Sequence, residues 1–127
     1  MKIDEISETV VRIAIGIHRE LGPGLFESVY EAVLAGRLEK AGLRVARQVT
    51  VPIIVDEMRF DAAFRIDLLV EDCLVLEVKS VEQLSKAHAK QLLTYLRLMK
   101  LPVGLLLNFS AETMRDGIRR MVNDYRP

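Results

Sequence analysis

Three charged residues lie in two stretches of the chain that otherwise have the composition of buried strands. Asp67 interrupts an apolar run that ends at Val70, and Glu77 and Lys79 stand at the end of the next apolar run. An unpaired charge in a protein interior is strongly destabilising, so such residues must be ion-paired, bound to metal, or placed at a strand end that faces a cleft. Glu77 and Lys79 are two residues apart and therefore share one face of their strand. The fold must accommodate these charges at one place.

Hydrophobic periodicity predicts two helices at the start of the chain. Apolar residues recur at helical spacing over residues 4–21 and again over 26–42. Gly22-Pro23-Gly24 separates the two segments, because glycine admits positive φ and proline cannot continue a helix. From residue 44 the period changes to two, which is typical of a strand. The remaining predicted elements are strands over 44–55, 60–70, 73–79 and 103–108 and helices over 85–100 and 111–123.

This order, ααβββαβα, favours a single α/β domain over residues 1–127 in which helices flank a central mixed β-sheet. A chain of 127 residues suits one core and one site. Pro52 puts the first strand near an edge of the sheet, because proline has no backbone N–H to donate. The residues of that strand predicted to share one face are Val45, Arg47, Val49 and Val51.

The hairpin between the second and third strands decides whether Asp67 meets Glu77. A two-residue loop over 71–72 would oppose Asp67 to Leu76 and leave it on the other face from Glu77. A three-residue loop over 71–73, or one bulge, would oppose Asp67 to Glu77 directly. We predict the second arrangement, which brings the two carboxylates together.

Two adjacent carboxylates and a lysine suit a metal-dependent hydrolase. The carboxylates repel each other, and a hard divalent cation such as Mg²⁺, or Mn²⁺, relieves the repulsion by taking their oxygens as ligands. Lys79 could orient or deprotonate a water, or stabilise the charge that grows on an attacked phosphate. The alternative from spacing alone is a structural ion pair between Glu77 and Lys79, with Asp67 capping a strand.

Polar residues elsewhere are candidates for the same site. His88, Gln91 and Tyr95 share one face of the predicted third helix, where they either line the site or satisfy a core boundary. Glu27 starts the second helix, where its carboxylate either favours the positive end of the helix dipole or supplies a third metal ligand. The third helix also has a basic stripe that is either a solvated surface or a contact to phosphates. Its members are Lys86, Lys90, Arg97 and Lys100.

Composition excludes several other classes of protein. Eighteen basic residues balance eighteen acidic ones, so any contact with nucleic acid has to be local. Cys73 is the single cysteine, which rules out an internal disulfide and a CxxC metal knuckle. No apolar stretch approaches the roughly 20 residues needed to cross a bilayer. The acidic start lacks the pattern of a secretory signal, and we therefore expect a cytoplasmic protein without membrane association.

Taken together, the motifs resemble those of the GxxExxY proteins, a family of small prokaryotic proteins placed in the PD-(D/E)xK nuclease superfamily. The name-giving motif is Gly24-Leu25-Phe26-Glu27-Ser28-Val29-Tyr30. Asp67 followed by Glu77-Val78-Lys79 resembles the motif of the nuclease core. Residues 91–95 are similar to the QxxxY motif of RecB-type exonucleases. Residues 103–109 also fit the family's pattern, so the resemblance covers nearly the whole chain.

The resemblance implies a restriction-endonuclease-like core with a magnesium site. Asp67 and Glu77 would bind Mg²⁺, and Lys79 would assist the attacking water. Glu27 would complete the acidic cluster. Two further residues would line the site, Gln91 and Tyr95. Ile66 stands where the motif of the superfamily has proline, a departure that leaves both carboxylates in place.

The function predicted first is Mg²⁺-dependent hydrolysis of phosphodiester bonds in nucleic acid, DNA before RNA, by a metal-activated water. The alternative is a catalytically inactive protein of the nuclease fold that serves as an interaction or assembly module, which the neutral net charge favours. By analogy with enzymes of the superfamily that act as dimers, the first helix could supply a homodimer interface.

Overall fold

Five strands form one mixed sheet in the computed structural model, which describes residues 1–126. The strands are β1 (Val45–Val55), β2 (Met58–Val70), β3 (Leu74–Lys79), β4 (Val103–Asn108) and β5 (Ile118–Val122). They are ordered β1-β2-β3-β4-β5 across the sheet. β3 and β4 run parallel, and the other neighbouring pairs run antiparallel. The predicted mixed sheet is confirmed, and β1 lies at an edge as Pro52 indicated.

Helices cover both faces of this sheet. They are α1 (Ile3–Leu21), α2 (Glu27–Lys40), α3 (Lys86–Met99) and α4 (Met114–Gly117). α1 and α2 pack on one face, and α3 packs on the other. α3 also connects the parallel strands β3 and β4, which require a crossover. Within residues 1–126, no helix combines the length and apolar character that a membrane crossing requires.

A reciprocal capping box fixes the start of α3. The Ser85 hydroxyl accepts a hydrogen bond from the His88 backbone N–H at 3.2 Å. The Ser85 backbone N–H donates to His88 Nδ1 at 3.1 Å. Two backbone donors at the helix start are thereby satisfied. The capping box therefore sets where α3 begins on its face of the sheet.

Apolar side chains fill both faces of the central strands. On β3, Leu74, Leu76 and Val78 face α1 and α2, whereas Val75 faces α3. This alternation has the period of two expected for a strand. Each face is buried by its own helix layer, so charged residues on β3 are tolerated only toward its end.

β1 changes faces at Gln48, which corrects the predicted alternation. Val45 packs with the α1 and α2 layer, whereas Val49 packs with the α3 layer. Val45, Arg47, Val49 and Val51 therefore do not all share one face. Gln48 has a positive φ of 51°, which breaks the regular pleat at this residue.

The predicted helix over residues 111–123 is wrong, because this segment forms the four-residue α4 and then β5. Ile118 and Met121 are spaced as on one helix face, but they pack on opposite faces of the sheet. Gly117 lies so close to β4 that a Cβ there would be 2.2 Å from the Asn108 carbonyl oxygen. The chain turns at this contact, and β5 pairs with the edge of β4 that would otherwise stay unpaired.

Candidate active site

The hairpin between β2 and β3 has the predicted register. Leu68 pairs with Leu76, and Val70 pairs with Leu74, so residues 71–73 form the loop. The Cys73 N–H donates to the Val70 carbonyl at 3.1 Å, which makes Cys73 the extra residue after a two-residue turn. The prediction of a three-residue loop or bulge is confirmed. The same register sets Asp67 opposite Glu77.

β2 and β3 separate at Asp67 and Glu77. Their regular pairing ends at the Leu68 and Leu76 pair. Beyond it, the Val78 N–H donates to Asp67 Oδ2 at 2.8 Å, and the Asp67 N–H donates to Glu77 Oε1 at 3.4 Å. Side-chain carboxylates therefore bind backbone N–H groups where the strands diverge. We call this place the fork, defined by Asp67 and Glu77.

β2 also changes faces at the fork. Ile66 packs with the α3 layer, and Leu68 packs with the α1 and α2 layer. In a regular strand these two residues would share a face. Asp67 lies at the change and opposite Gln48 of β1, where the other change of face occurs. The sheet is therefore irregular on two adjacent strands beside the carboxylates.

Burial controls the charge of Glu77. This residue is 4% exposed. Burial first, and then the neighbouring Asp67 carboxylate, raises the pKa of the Glu77 carboxyl to about 8, against the opposing effect of Lys79. Glu77 therefore holds a proton at neutral pH, and a cation that binds the pair has to displace it.

Lys79 and Tyr95 lie close enough to affect these carboxylates. Lys79 is half-buried on the same face of β3 as Glu77, and its charge lowers the Glu77 pKa. The Tyr95 ring stacks on Phe64 of β2 with centroids 4.2 Å apart. Burial raises the pKa of the Tyr95 hydroxyl, and the Glu77 and Asp67 carboxylates raise it further. α3 thus brings Tyr95 to the fork.

The two other polar residues predicted on α3 lie elsewhere. Gln91 is exposed and makes no side-chain hydrogen bond to residues 1–126. His88 is occupied by the capping box with Ser85. The predicted polar face of α3 therefore contributes Tyr95 to the fork and leaves Gln91 facing solvent.

Glu27 lies at the end of β3 and not on the carboxylate pair. Glu27 Oε2 accepts a hydrogen bond from the Ser80 N–H at 3.0 Å, directly after Lys79. The Ser80 hydroxyl donates to the Leu25 carbonyl at 2.6 Å. These two hydrogen bonds connect the segment of residues 24–30 to the residue that follows β3. Glu27 and Ser80 both line an open cleft of about 730 Å³.

Tyr30 fixes the loop that carries this motif. Its buried hydroxyl donates to the Gly22 carbonyl at 2.5 Å and accepts from the Leu25 N–H at 3.1 Å. Its ring stacks on Phe109, which follows β4, with centroids 4.6 Å apart. Tyr30 therefore holds the start of α2, and with it Glu27, against the sheet.

Sequence reasoning missed Glu31 and Gln48. Glu31 is 6% exposed and accepts a hydrogen bond from Gln48 Nε2 at 2.6 Å and from Arg47 at 3.0 Å. Gln48 Nε2 also lies 3.4 Å from Asp67 Oδ1. One signal in the sequence was available, since Glu31 follows Glu27 by one helical turn and lies beside the buried positions of α2.

The donor set at the fork fits a small hard cation. No three His, Cys, Asp or Glu side chains in residues 1–126 are grouped so as to hold a metal by themselves. Mg²⁺ commonly needs fewer protein ligands than three, because it is bound by one or two carboxylates, with waters and substrate phosphates as the other ligands. Asp67 and Glu77 supply such a pair of oxygen ligands at the fork.

Comparison with known proteins agrees with this arrangement. The family model of the PD-(D/E)XK nuclease superfamily matches residues 4–121, a span that includes the fork, Lys79 and Tyr95. No curated protein and no solved structure gives a significant match. The five-stranded mixed sheet with helices on both faces is consistent with the predicted restriction-endonuclease-like fold. The finer resemblance to GxxExxY proteins stays a prediction. The chain belongs to the PD-(D/E)XK nuclease superfamily.

Proposed function

We propose that this protein is a metal-dependent nuclease that hydrolyses phosphodiester bonds, with DNA favoured over RNA. The observation that carries the proposal is the pairing of Asp67 with Glu77 at the fork, next to Lys79. Two acidic residues and a lysine are also the residue types for which the superfamily is named. The balanced net charge is compatible with an enzyme, which needs only enough affinity to place the scissile bond.

Asp67 and Glu77 would hold Mg²⁺ or Mn²⁺. The bound cation would neutralise charge on the phosphate and lower the pKa of a water. Asp67 is held for this role by the Val78 N–H, which binds its Oδ2 atom. Glu77 would give up its proton when the cation binds, because a carboxylate ligand must be ionised.

Lys79 would orient the attacking water or stabilise the charge that grows on the phosphate. Its position is supported by the hydrogen bond from Ser80 to Glu27, which anchors the backbone directly after it. Glu27 would act through this hydrogen bond, by holding the backbone that follows Lys79, because it is not grouped with Asp67 and Glu77.

Tyr95 and Gln91 would contact the nucleic acid. The raised pKa of the Tyr95 hydroxyl keeps it protonated, so it can donate a hydrogen bond to a phosphate oxygen. Gln91 lies one turn earlier on α3 with its amide exposed, where a bound strand could reach it. These two residues would position the substrate and take no part in proton transfer.

The test is cleavage of labelled single-stranded and double-stranded DNA and RNA with Mg²⁺ or Mn²⁺. We expect Lys79→Ala to reduce the cleavage rate by about 10²–10³-fold. Lys40→Ala, which removes an exposed lysine at the end of α2, is the matched control and should cut like the wild type.

Thermal stability with and without Mn²⁺ tests the metal site separately. At a metal concentration about 100 times Kd, binding should add roughly 2.7 kcal/mol to the free energy of unfolding. Asp67→Ala should lose this increment. A wild-type protein that neither cuts nor is stabilised by metal would contradict the proposal and favour the inactive assembly module.

A further inference from the structure

A chain of three side chains connects α2 to the fork. Gln48 Nε2 lies 2.6 Å from Glu31 Oε1 and 3.4 Å from Asp67 Oδ1. Both partners are carboxylates, which accept hydrogen bonds, so the amide nitrogen with its two hydrogens faces them both. Gln48 therefore links the buried carboxylate of Glu31 to that of Asp67.

The far end of this chain is firmly held. Arg47 binds Glu31 Oε2 through Nε at 3.2 Å and through Nη2 at 3.0 Å. Glu31 is 6% exposed, and each of its two oxygens has a partner. A buried, doubly bonded carboxylate has little freedom to rotate, so Glu31 provides a fixed point for the Gln48 amide.

The backbone of Gln48 makes this arrangement possible. In a regular strand, Arg47 and Gln48 would point to opposite faces of the sheet. Here both side chains reach Glu31. The φ of Gln48 is 51°, a value that L-residues other than glycine seldom adopt. The protein thus keeps an unfavourable backbone conformation at the residue that contacts Asp67.

We propose that Glu31 and Gln48 are positioning residues that hold Asp67 in the orientation in which it binds metal. The inference rests on the nuclease function proposed above. Val78 N–H binds Asp67 Oδ2, and Gln48 binds Oδ1, so the carboxylate is fixed from two sides. Residues that orient a metal ligand commonly change metal affinity or activity by about 10–100-fold when removed.

Gln48→Gly is the decisive variant. Glycine tolerates positive φ, so the backbone can keep its conformation while the amide is lost. We expect the Kd for Mn²⁺ to rise and kcat for DNA cleavage to fall, each by about 10-fold or more. The KM for DNA should stay within about twofold, because Gln48 is proposed to act on Asp67 and not on the substrate.

Two variants of Glu31 separate positioning from general stability. Glu31→Ala should reproduce the loss seen in Gln48→Gly. Glu31→Gln keeps one oxygen, which can accept from Gln48 or from Arg47 but not from both, so it should lose less Mn²⁺ affinity and kcat than Glu31→Ala. Arg44→Ala is the matched control, because it removes an ion pair with Glu71 next to the start of the same strand and away from the fork.

Mn²⁺ titration by calorimetry and steady-state cleavage kinetics are measured on the full chain for every variant. A wild type that binds Mn²⁺ and cuts DNA, beside a Gln48→Gly variant that does both equally well, would overturn the positioning role and leave the nuclease function standing. A Glu31→Gln variant as impaired as Glu31→Ala would also overturn it. A wild type without Mn²⁺ binding or cleavage would overturn the proposed function and this inference together.

Discussion

The buried carboxyl group of Glu77 links the stability of the metal-free protein to pH. Its ordinary pKa of 4.5 rises to about 8 in the folded state, chiefly through burial. Below pH 4.5 the folded and unfolded states both hold the proton, and no stability is lost. Between pH 4.5 and 8 the unfolded state ionises while the folded state stays protonated. Stability therefore falls as pH rises, by a total on the order of 5 kcal/mol.

Glu77→Gln removes this dependence, because glutamine does not titrate. We expect the variant to be more stable than the wild type by a few kcal/mol at pH 8, and by about 1 kcal/mol or less at pH 5. Urea unfolding at both pH values in the presence of a chelator measures the difference. Glu39→Gln, an exposed carboxylate on α2, is the control. A gain for Glu77→Gln that is equal at both pH values would contradict the prediction.

At the scale of single residues, sequence patterns identified the charges but not all their partners. Asp67, Glu77 and Lys79 stand out because they interrupt apolar runs. Glu31 has only a weak signal, its spacing of one helical turn from Glu27, because the burial of a helical glutamate depends on how α2 docks on the sheet. Gln48 has no local signal at all, since its positive φ arises from tertiary contacts.

At the scale of elements, the tip of the β1 and β2 hairpin uses residues poorly suited to its backbone. Val55 pairs with Met58, so Asp56 and Glu57 form a two-residue turn. Their φ values are 49° and 67°. Both central residues of such a turn need positive φ, and glycine is strongly preferred at the second position.

Glu57→Gly should therefore stabilise the protein by roughly 1 kcal/mol, because glycine adopts this conformation without the steric penalty of a side chain. Urea unfolding measures the gain. Gly42→Ala is the converse control, since Gly42 has a φ of 90° and should lose stability on gaining a side chain. An unchanged or lower stability of Glu57→Gly would show that the turn is not strained.

Element types could be predicted where a local period is strong, and they failed where pairing decides. α1, β3 and β4 follow directly from their apolar spacing. The segment after Thr113 has helical spacing at Ile118 and Met121, yet the open edge of β4 draws it into β5. The sequence of this segment alone does not show that the edge of β4 is available for pairing.

At the scale of the whole molecule, the site is assembled from five elements. α2 supplies Glu31, β1 supplies Gln48, and the fork joins β2 to β3, while α3 brings Tyr95. The hairpin register could be predicted because a regular two-residue loop would put the carboxylates on opposite faces, whereas a three-residue loop or one bulge lets them meet. The docking of α2 and α3 could not, because it depends on packing across both faces of the sheet.

The charge of the whole molecule sets how it should bind nucleic acid. The 18 basic and 18 acidic residues cancel, so attraction to phosphates must come from local clusters. α3 contains no acidic residue and carries three exposed cations, Lys86, Lys90 and Arg97. It is also the helix that presents Tyr95 to the fork. We therefore expect α3 to contact the phosphate backbone.

Replacing these three α3 cations by alanine should weaken DNA binding by removing up to three phosphate contacts. Each lost contact should reduce the slope of log Kd against log salt concentration by roughly 0.9 for duplex DNA. Fluorescence anisotropy over a range of salt concentrations in a chelator measures both. The control is the triple replacement of Arg12, Arg19 and Lys40 by alanine. It changes the net charge equally but lies on α1 and α2, so it separates local contact from overall charge. Equal losses in the two triple variants would mean that only net charge matters, and α3 would then not be the contact surface.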